Sequence, residues 1–301
     1  MILVITGPTG VGKTKLSIIL AKKYDAEIIN ADSVQVYRGL DIGTAKVTDK
    51  EKEGIVHHLI DIKNVGDEYT LYNFQKDARE CIDEITRKGK NVIIVGGTGL
   101  YIKSALYDYD LTFENERQEK YDSVSTFDLY KELIHLDPLA QVDSHNRRRI
   151  IRAINYYKAN HRSISLNKNG NKLLYRAIFI GLTMKNREEL YQRINNRVDE
   201  MIQSGLIDEV RYFYDLNIRS KPLTSAIGYK ELYDYFDGNI SYEEAIELIK
   251  RNSRRYAKRQ YTFFTNQFDI KWFCVNLNDF NMTTLEVSDY IEKNKDYISR
   301  I

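Results

Sequence analysis

The chain opens on an unbroken apolar run, Ile2-Leu3-Val4-Ile5. A short continuous run of this kind, bounded by turn residues, predicts a strand covered on both faces. Leu16, Ile19 and Leu20 then recur at helical spacing and predict a helix over 13–23. Ala26-Glu27-Ile28-Ile29-Asn30 reads as a second strand running out at Asp32, followed by a loop that includes residues 41–46. A helix over 71–88 leads into a third buried strand, Asn91-Val92-Ile93-Ile94-Val95. The turn Gly96-Gly97-Thr98-Gly99 follows, and a further helix starts near Leu100. Alternating strands and helices build a parallel sheet with ligands gathered beyond the carboxyl ends of its strands. Asp32 and Thr98 both fall just past such ends.

From 111 to 174 the pattern changes to polar helices, over 126–136 and 146–159, with Asp137-Pro138 as a stop signal between them. Strand character returns over 175–182. Helices are predicted over 187–201, 206–216, 225–236 and 242–266, and a late strand over 271–275 would complete the sheet. Residues 167–171, Asn-Lys-Asn-Gly-Asn, read as the clearest exposed loop. The chain shows no internal repeat and no low-complexity stretch.

A length of 301 residues admits one large α/β domain or a core carrying a smaller insertion. The net charge of +2 supplies no general positive field, so contact with nucleic acid has to come from local basic patches. Cys81 and Cys274 have neither disulfide nor zinc spacing and are expected to be buried thiols in a reducing compartment. The first residues enter a strand without the features of a signal peptide, and no apolar run is long enough for a bilayer. A soluble, cytoplasmic protein is expected. Three prolines fit a mostly helical chain, whereas 23 tyrosines could serve stacking or ordinary packing.

Gly7, Pro8, Thr9, Gly10, Val11, Gly12, Lys13 and Thr14 fit the G-x-x-x-x-G-K-[ST] pattern between the first strand and the first helix. Glycines let successive N–H groups curl around an oxyanion, and the helix N-terminus faces the same anion. Lys13 would add a point charge, and the Thr14 hydroxyl would hold a Mg²⁺ shared with the phosphates. The expected fold is therefore an α/β protein: a P-loop NTPase-like parallel sheet core with C-terminal helices (1–110 and 175–301) and a helical insertion (111–174). A nucleotide hydrolase or kinase of this kind usually carries a Mg²⁺-binding Asp at the end of an apolar strand. Here the strand over 91–95 ends in Gly96-Gly97-Thr98. Asp32 is left as the best-placed carboxylate, able to hold a metal through water, accept a proton, or simply cap a loop beside Ser33.

Basic residues are concentrated in two places. Between Ser144 and Arg187 there is no acidic residue, while Arg147, Arg148, Arg149, Arg152, Lys158, Arg162, Lys168 and Lys172 all occur there. Arg251, Arg254, Arg255, Lys258 and Arg259 would share one face of the helix over 242–266, interleaved with Tyr256 and Tyr261. Such clusters suit an extended polyanion, and they equally suit a solvated surface or arginines that clamp a phosphate.

Taken together, the segments resemble the tRNA dimethylallyltransferase (tRNA isopentenylpyrophosphate transferase) family over most of the chain. The glycine-rich loop matches one family signature, and residues 31–46, Ala-Asp-Ser-Val-Gln-Val-Tyr-Arg-Gly-Leu-Asp-Ile-Gly-Thr-Ala-Lys, match a second. His57-His58-Leu59-Ile60-Asp61, Gly96-Gly97-Thr98-Gly99-Leu100-Tyr101, Arg149-Ile150-Ile151-Arg152-Ala153, Ala226-Ile227-Gly228-Tyr229-Lys230-Glu231 and Tyr256-Ala257-Lys258-Arg259-Gln260 follow in the family's order. The chain departs from the family at Tyr261 and Phe263, where Leu and Trp are frequent, and at Ser144-His145-Asn146-Arg147, where His-Pro-Asn-Asp is common.

The resemblance implies transfer of a dimethylallyl group from dimethylallyl diphosphate to N6 of adenosine 37, in tRNAs reading codons that begin with U. Diphosphate is the leaving group, so the P-loop would hold it with Mg²⁺, and Arg197 is a further candidate ligand. Asp32 would be the general base and Thr98 would contact the tRNA close by. Asp32, Ser33, Val34 and Gln35 match one tRNA-contact segment of the family, and Arg148, Arg149, Ile150, Ile151 and Arg152 match another. Arg254 and Lys258 of the basic helix are further candidate tRNA contacts. The implied partners are the anticodon stem-loop of tRNA and the diphosphate donor, with no membrane and with a monomer as the default. The competing readings are a prenyltransferase of free adenine nucleotides, a P-loop kinase of a small metabolite, and a pure tRNA-binding module.

Overall fold

A single six-stranded sheet organises the computed structural model, which describes residues 1–109, 111, 121–166, 172–276 and 278–299. Its strands are β1 (Ile2–Thr6), β2 (Ala26–Asn30), β3 (His57–His58), β4 (Asn91–Val95), β5 (Ile178–Thr183) and β6 (Lys271–Cys274), in the order β3-β2-β4-β1-β5-β6. Every pairing is parallel. Successive side chains of a strand alternate between the two faces. Accordingly Leu3, Ile5, Ile28, Ile93 and Ile180 enter one hydrophobic cluster, and Val4, Ile29, Val92, Ile94 and Phe179 enter the other.

Helices cover both faces, which is why the central strands are apolar throughout. Helix α1 (Lys13–Lys23) packs Leu16 and Leu20 on the first face, beside Val287 and Ile291 of α12 (Phe280–Ser299). Helix α3 (Leu71–Arg87) packs Phe74, Ala78, Ile82 and Ile85 on the second, with α4 (Gly99–Leu106) and Ala245, Ile249 and Phe264 of α11 (Tyr242–Gln267). Helices α5 (Thr126–Leu136) and α6 (Arg147–Asn160) stand between α4 and β5 in sequence, and α7 (Arg187–Gln203), α8 (Leu206–Asp215), α9 (Lys221–Ser225) and α10 (Tyr229–Phe236) stand between β5 and α11. Helices α5 and α6 pack around a small core of their own, made by Tyr121, Leu129, Leu133, Ile150, Ala153 and Ile154. Among the described residues no helix is long and apolar enough to cross a membrane.

Some expectations change. The strand read over 175–182 is Ile178–Thr183; the Leu174 and Tyr175 amides instead donate to Leu106 O at 2.8 and 3.3 Å, beside a Tyr107–Leu173 bridge. The helix read over 225–236 is broken into α9 and α10, because Ala226 is extended and Gly228 takes a φ of +94°. Strand β3, the one-turn helix α2 (Asp49–Lys52) and α12 were not anticipated. Cys81 is half-buried and Cys274 is exposed, so the expectation of two buried thiols is corrected. The loop expected over 167–171 lies outside the described residues.

Candidate active site

A cavity of about 1050 Å³ opens beyond the carboxyl ends of β1, β2 and β4, with Thr9, Lys13, Thr14, Asp32, Gly97 and Arg197 in its wall. The glycine-rich loop between β1 and α1 forms its floor. Gly7, Gly10 and Gly12 all have positive φ, and a Cβ on Gly7 would sit 2.3 Å from the Leu182 carbonyl oxygen. Curvature and close approach together therefore require glycine there.

Gly7 and Pro8 contribute their carbonyls, which accept from Lys13 Nζ at 3.0 and 2.8 Å. Val11 is buried in the core beneath the loop. Helix α7 reaches the loop twice: Arg193 Nε donates to Gly10 O at 2.8 Å, and Arg197 donates to Thr9 Oγ1 at 3.2 Å. From α11, Gln260 Oε1 accepts the Thr9 N–H at 3.0 Å.

Part of the Lys13 chain faces the cavity, while its ammonium is withdrawn beneath the loop carbonyls. Loss of water and the neighbouring Arg197 bring its pKa down to about 7, against an opposing pull from Asp32. Burial likewise lowers the pKa of Arg197, and Asp32 again opposes the shift. Two cations crowded into a desolvated pocket form a site that an anion would relieve.

Across the cavity, Asp32 Oδ1 accepts from the Val34 and Gln35 N–H groups at 2.9 and 3.3 Å. The loop-capping role is thus real, but it engages one oxygen. Among the described residues Oδ2 has no hydrogen-bond partner. Thr98 caps α4 and its Oγ1 accepts the Ser33 N–H at 3.2 Å. Gln35 donates to Thr44 O at 3.0 Å, which ties residues 32–35 to the other end of the second signature. Burial and the Asp32 carboxylate push the pKa of Tyr256 up to about 12, although hydrogen bonds with Thr98 and Gln260 oppose them. It therefore stays a neutral phenol beside Thr98.

The structure gathers the loop, Asp32, Gln35 and Arg197 around one cavity, with Ser33 and Thr98 hydrogen-bonded next to it. Val34 is half-buried and packs against the core. Arg148, Arg149, Ile150, Ile151 and Arg152 lie at the start of α6, outside the cavity wall. Arg148 and Arg149 are exposed, whereas Ile150 is wholly buried in the small α5–α6 core and Ile151 packs against it.

On α11 Lys258 is exposed with Arg255 and Arg259 along a shallow groove. The common basic face expected there is divided: Arg251, Arg255, Lys258 and Arg259 are exposed, whereas Arg254 is half-buried and donates to Asn195 of α7.

Several residues at the site had no role in the sequence reading. Arg193 stands one helical turn before Arg197, a spacing that pointed to it. Tyr256 and Gln260 lie in a quoted motif, but nothing in sequence shows which motif positions face inward. Glu209 accepts the Asp41, Ile42 and Gly43 N–H groups at 3.0, 2.7 and 3.1 Å and so clasps the second signature from α8. His57 lines the cavity with Nδ1 against Ile55 O at 2.9 Å.

A Mg²⁺ ion fits this donor set. The Thr14 side chain is exposed on the cavity wall, where its hydroxyl could ligate an ion shared with bound phosphates. Among the described residues no three His, Cys, Asp or Glu side chains cluster as a metal cage. A hard ion held by one or two protein oxygens plus ligand phosphates matches that chemistry.

Comparisons with known proteins point to one family. The family model described as IPP transferase matches residues 35–267. A tRNA dimethylallyltransferase of Anoxybacillus flavithermus is 48% identical over 299 residues, covering 97% of this chain and 96% of the relative. One from Bacillus subtilis is 48% identical over 283 residues, 90% of each. The crystal structure of the full-length tRNA isopentenylpyrophosphate transferase from Bacillus halodurans superposes with a TM-score of 0.79 at 41% identity, covering 99% of this chain and 98% of that one. A eukaryotic dimethylallyltransferase described as acting on tRNA gives a TM-score of 0.85 at 28% identity, covering 98% of this chain and 79% of that one. With the motifs, the fold and these likenesses in agreement, the chain belongs to the IPP transferase family.

Proposed function

We propose that this protein is a tRNA dimethylallyltransferase, moving a dimethylallyl group from dimethylallyl diphosphate to N6 of adenosine 37 in tRNAs that read codons beginning with U. The observation that carries the reading is the single cavity in which Lys13 and Arg197 face Asp32. One side suits a diphosphate and the other a proton acceptor. The glycine-rich loop, Thr9, Lys13 and Arg197 would hold the diphosphate.

In the step itself the adenine N6 attacks the allylic carbon, the carbon–oxygen bond to diphosphate breaks, and the N6 proton passes to Asp32. Lys13 and Arg197 stabilise the charge that grows on the departing oxygens. Mg²⁺, held by the Thr14 hydroxyl and the donor's phosphate oxygens, would supply further charge neutralisation when bound. An exocyclic amine is a weak nucleophile, so orientation against the allylic carbon contributes at least as much as proton removal.

The target base has to leave its stack to reach this cavity, with Gln35 and Thr98 at its approach. Residues 111–174 are read as an insertion bearing Arg148 and Arg149 toward the RNA, on a monomer acting in the cytoplasm. A small-metabolite kinase is not favoured, since the relatives named above are prenyltransferases.

Incubation with labelled dimethylallyl diphosphate and an anticodon stem-loop containing A36-A37 should place label in the RNA. Label absent from RNA, with ATP's γ-phosphate passed to a metabolite instead, would sink the reading. The exposed cations of α11 are expected to touch RNA phosphates: Lys258→Ala should weaken stem-loop binding and lower the slope of log K against log salt by about 1. Because Arg254 is engaged with Asn195, its replacement should disturb α7 more than the salt slope.

A further inference from the structure

We propose that Gln260 is a positioning residue that couples RNA held on the basic side of α11 to the diphosphate-binding loop; the inference rests on the prenyltransfer reading above. Gln260 is only 5% exposed. Its amide is used at both ends: Oε1 accepts the Thr9 N–H, and Nε2 donates to Gly97 O at 3.0 Å. One side chain therefore fixes the separation between the donor loop after β1 and the turn after β4.

The fit is close enough to dictate a neighbour. A Cβ on Gly97 would stand 2.1 Å from Gln260 Nε2, and one on Gly96 would stand 2.2 Å from Ala31 O, directly before Asp32. One turn earlier on the same helix, the Tyr256 hydroxyl lies beside Thr98, which holds the Ser33 amide. Helix α11 thus touches the donor loop through Gln260 and the Asp32 segment through Tyr256. Its outward side carries Arg255, Lys258 and Arg259. The helix runs unbroken over 26 residues, so a shift forced by RNA on the outer face is carried to both inner contacts.

Neither a carboxylate nor a hydrocarbon can replace this amide. Glutamate would keep the acceptor for Thr9 but set an oxygen against the Gly97 carbonyl, and leucine would leave both backbone groups unpaired. The test compares the full chain with Gln260→Glu and Gln260→Leu, using inorganic pyrophosphate and the A36-A37 stem-loop as probes.

In the unaltered protein, saturating stem-loop should tighten pyrophosphate binding at least about fivefold. Both variants should lose that enhancement while pyrophosphate affinity measured without RNA stays within about threefold. Transfer should fall about 10- to 100-fold in kcat with KM for the donor little changed. Gln260→Glu keeps the shape and is the control for folding, checked by its melting midpoint.

An unaltered protein without coupling, or variants that retain it, would overturn the proposal. So would a parallel fall of melting midpoint, pyrophosphate affinity and kcat in both variants, which would mark Gln260 as merely structural. If the unaltered protein puts no label into RNA, the prenyltransfer reading fails by itself, because the pyrophosphate and RNA titrations still decide the coupling.

Discussion

Asp32→Asn should lower kcat for transfer roughly 10³-fold, about 4 kcal/mol of barrier, within the range that general bases supply. Asparagine is the informative replacement because Asp32 has two jobs. Oδ1 caps the turn by accepting from the Val34 and Gln35 amides, and an amide oxygen can continue to do so. The second oxygen would become an NH₂ group, which cannot accept the N6 proton. Stem-loop affinity, measured by filter retention, should therefore stay within about threefold while single-turnover transfer collapses. Asp32→Ala would remove cap and base together. A loss of RNA binding as large as the loss of rate in Asp32→Asn would reassign the residue to holding the loop.

Lys13→Ala should weaken pyrophosphate binding about 100-fold, as expected for loss of a charge-assisted hydrogen bond in a desolvated site. The pH dependence is the sharper test. Without ligand, burial and Arg197 hold the Lys13 pKa down at about 7. A bound diphosphate favours the ammonium and raises that pKa. Below about pH 7 the lysine is charged before and after binding, so its contribution is flat. Above it, binding draws a proton onto Lys13, and affinity should fall by up to about tenfold per pH unit. Calorimetry at pH 8 in two buffers of different ionisation enthalpy should show proton uptake in the unaltered protein. Lys13→Ala reports pyrophosphate's own titration, and the difference isolates the lysine. Equal uptake in both proteins would mean that Lys13 is charged before the ligand arrives.

The parts of the fold that were legible in the sequence are those whose pattern is dictated locally. Apolar runs marked β1, β2 and β4 because the sheet is covered on both faces. The helices read over 71–88 and 126–136 are found at Leu71–Arg87 and Thr126–Leu136, where Thr70 and Ser125 cap them locally. The break between α9 and α10 was hidden, because it depends on Gly228, whose N–H is taken by Glu231 at 2.8 Å. Strand β3 has two residues, too few for any period to show. The start of β5 was read three residues early, since Tyr175 is as strand-like as its neighbours but hydrogen-bonds to Leu106 instead.

Sequence by itself determined the parallel α/β class, the loop from Gly7 to Thr14 and the order of motifs that marks the family, since each of these is written in contiguous residues. Tertiary structure alone decided which polar residues meet. Arg193 and Arg197 reach the loop from α7, Gln260 spans from Thr9 to Gly97, and Glu209 clasps residues 41–43 from α8. All of these partners are more than 150 positions apart along the chain. Their hydrogen bonds depend on how helices dock over the sheet, and no local spacing encodes that docking.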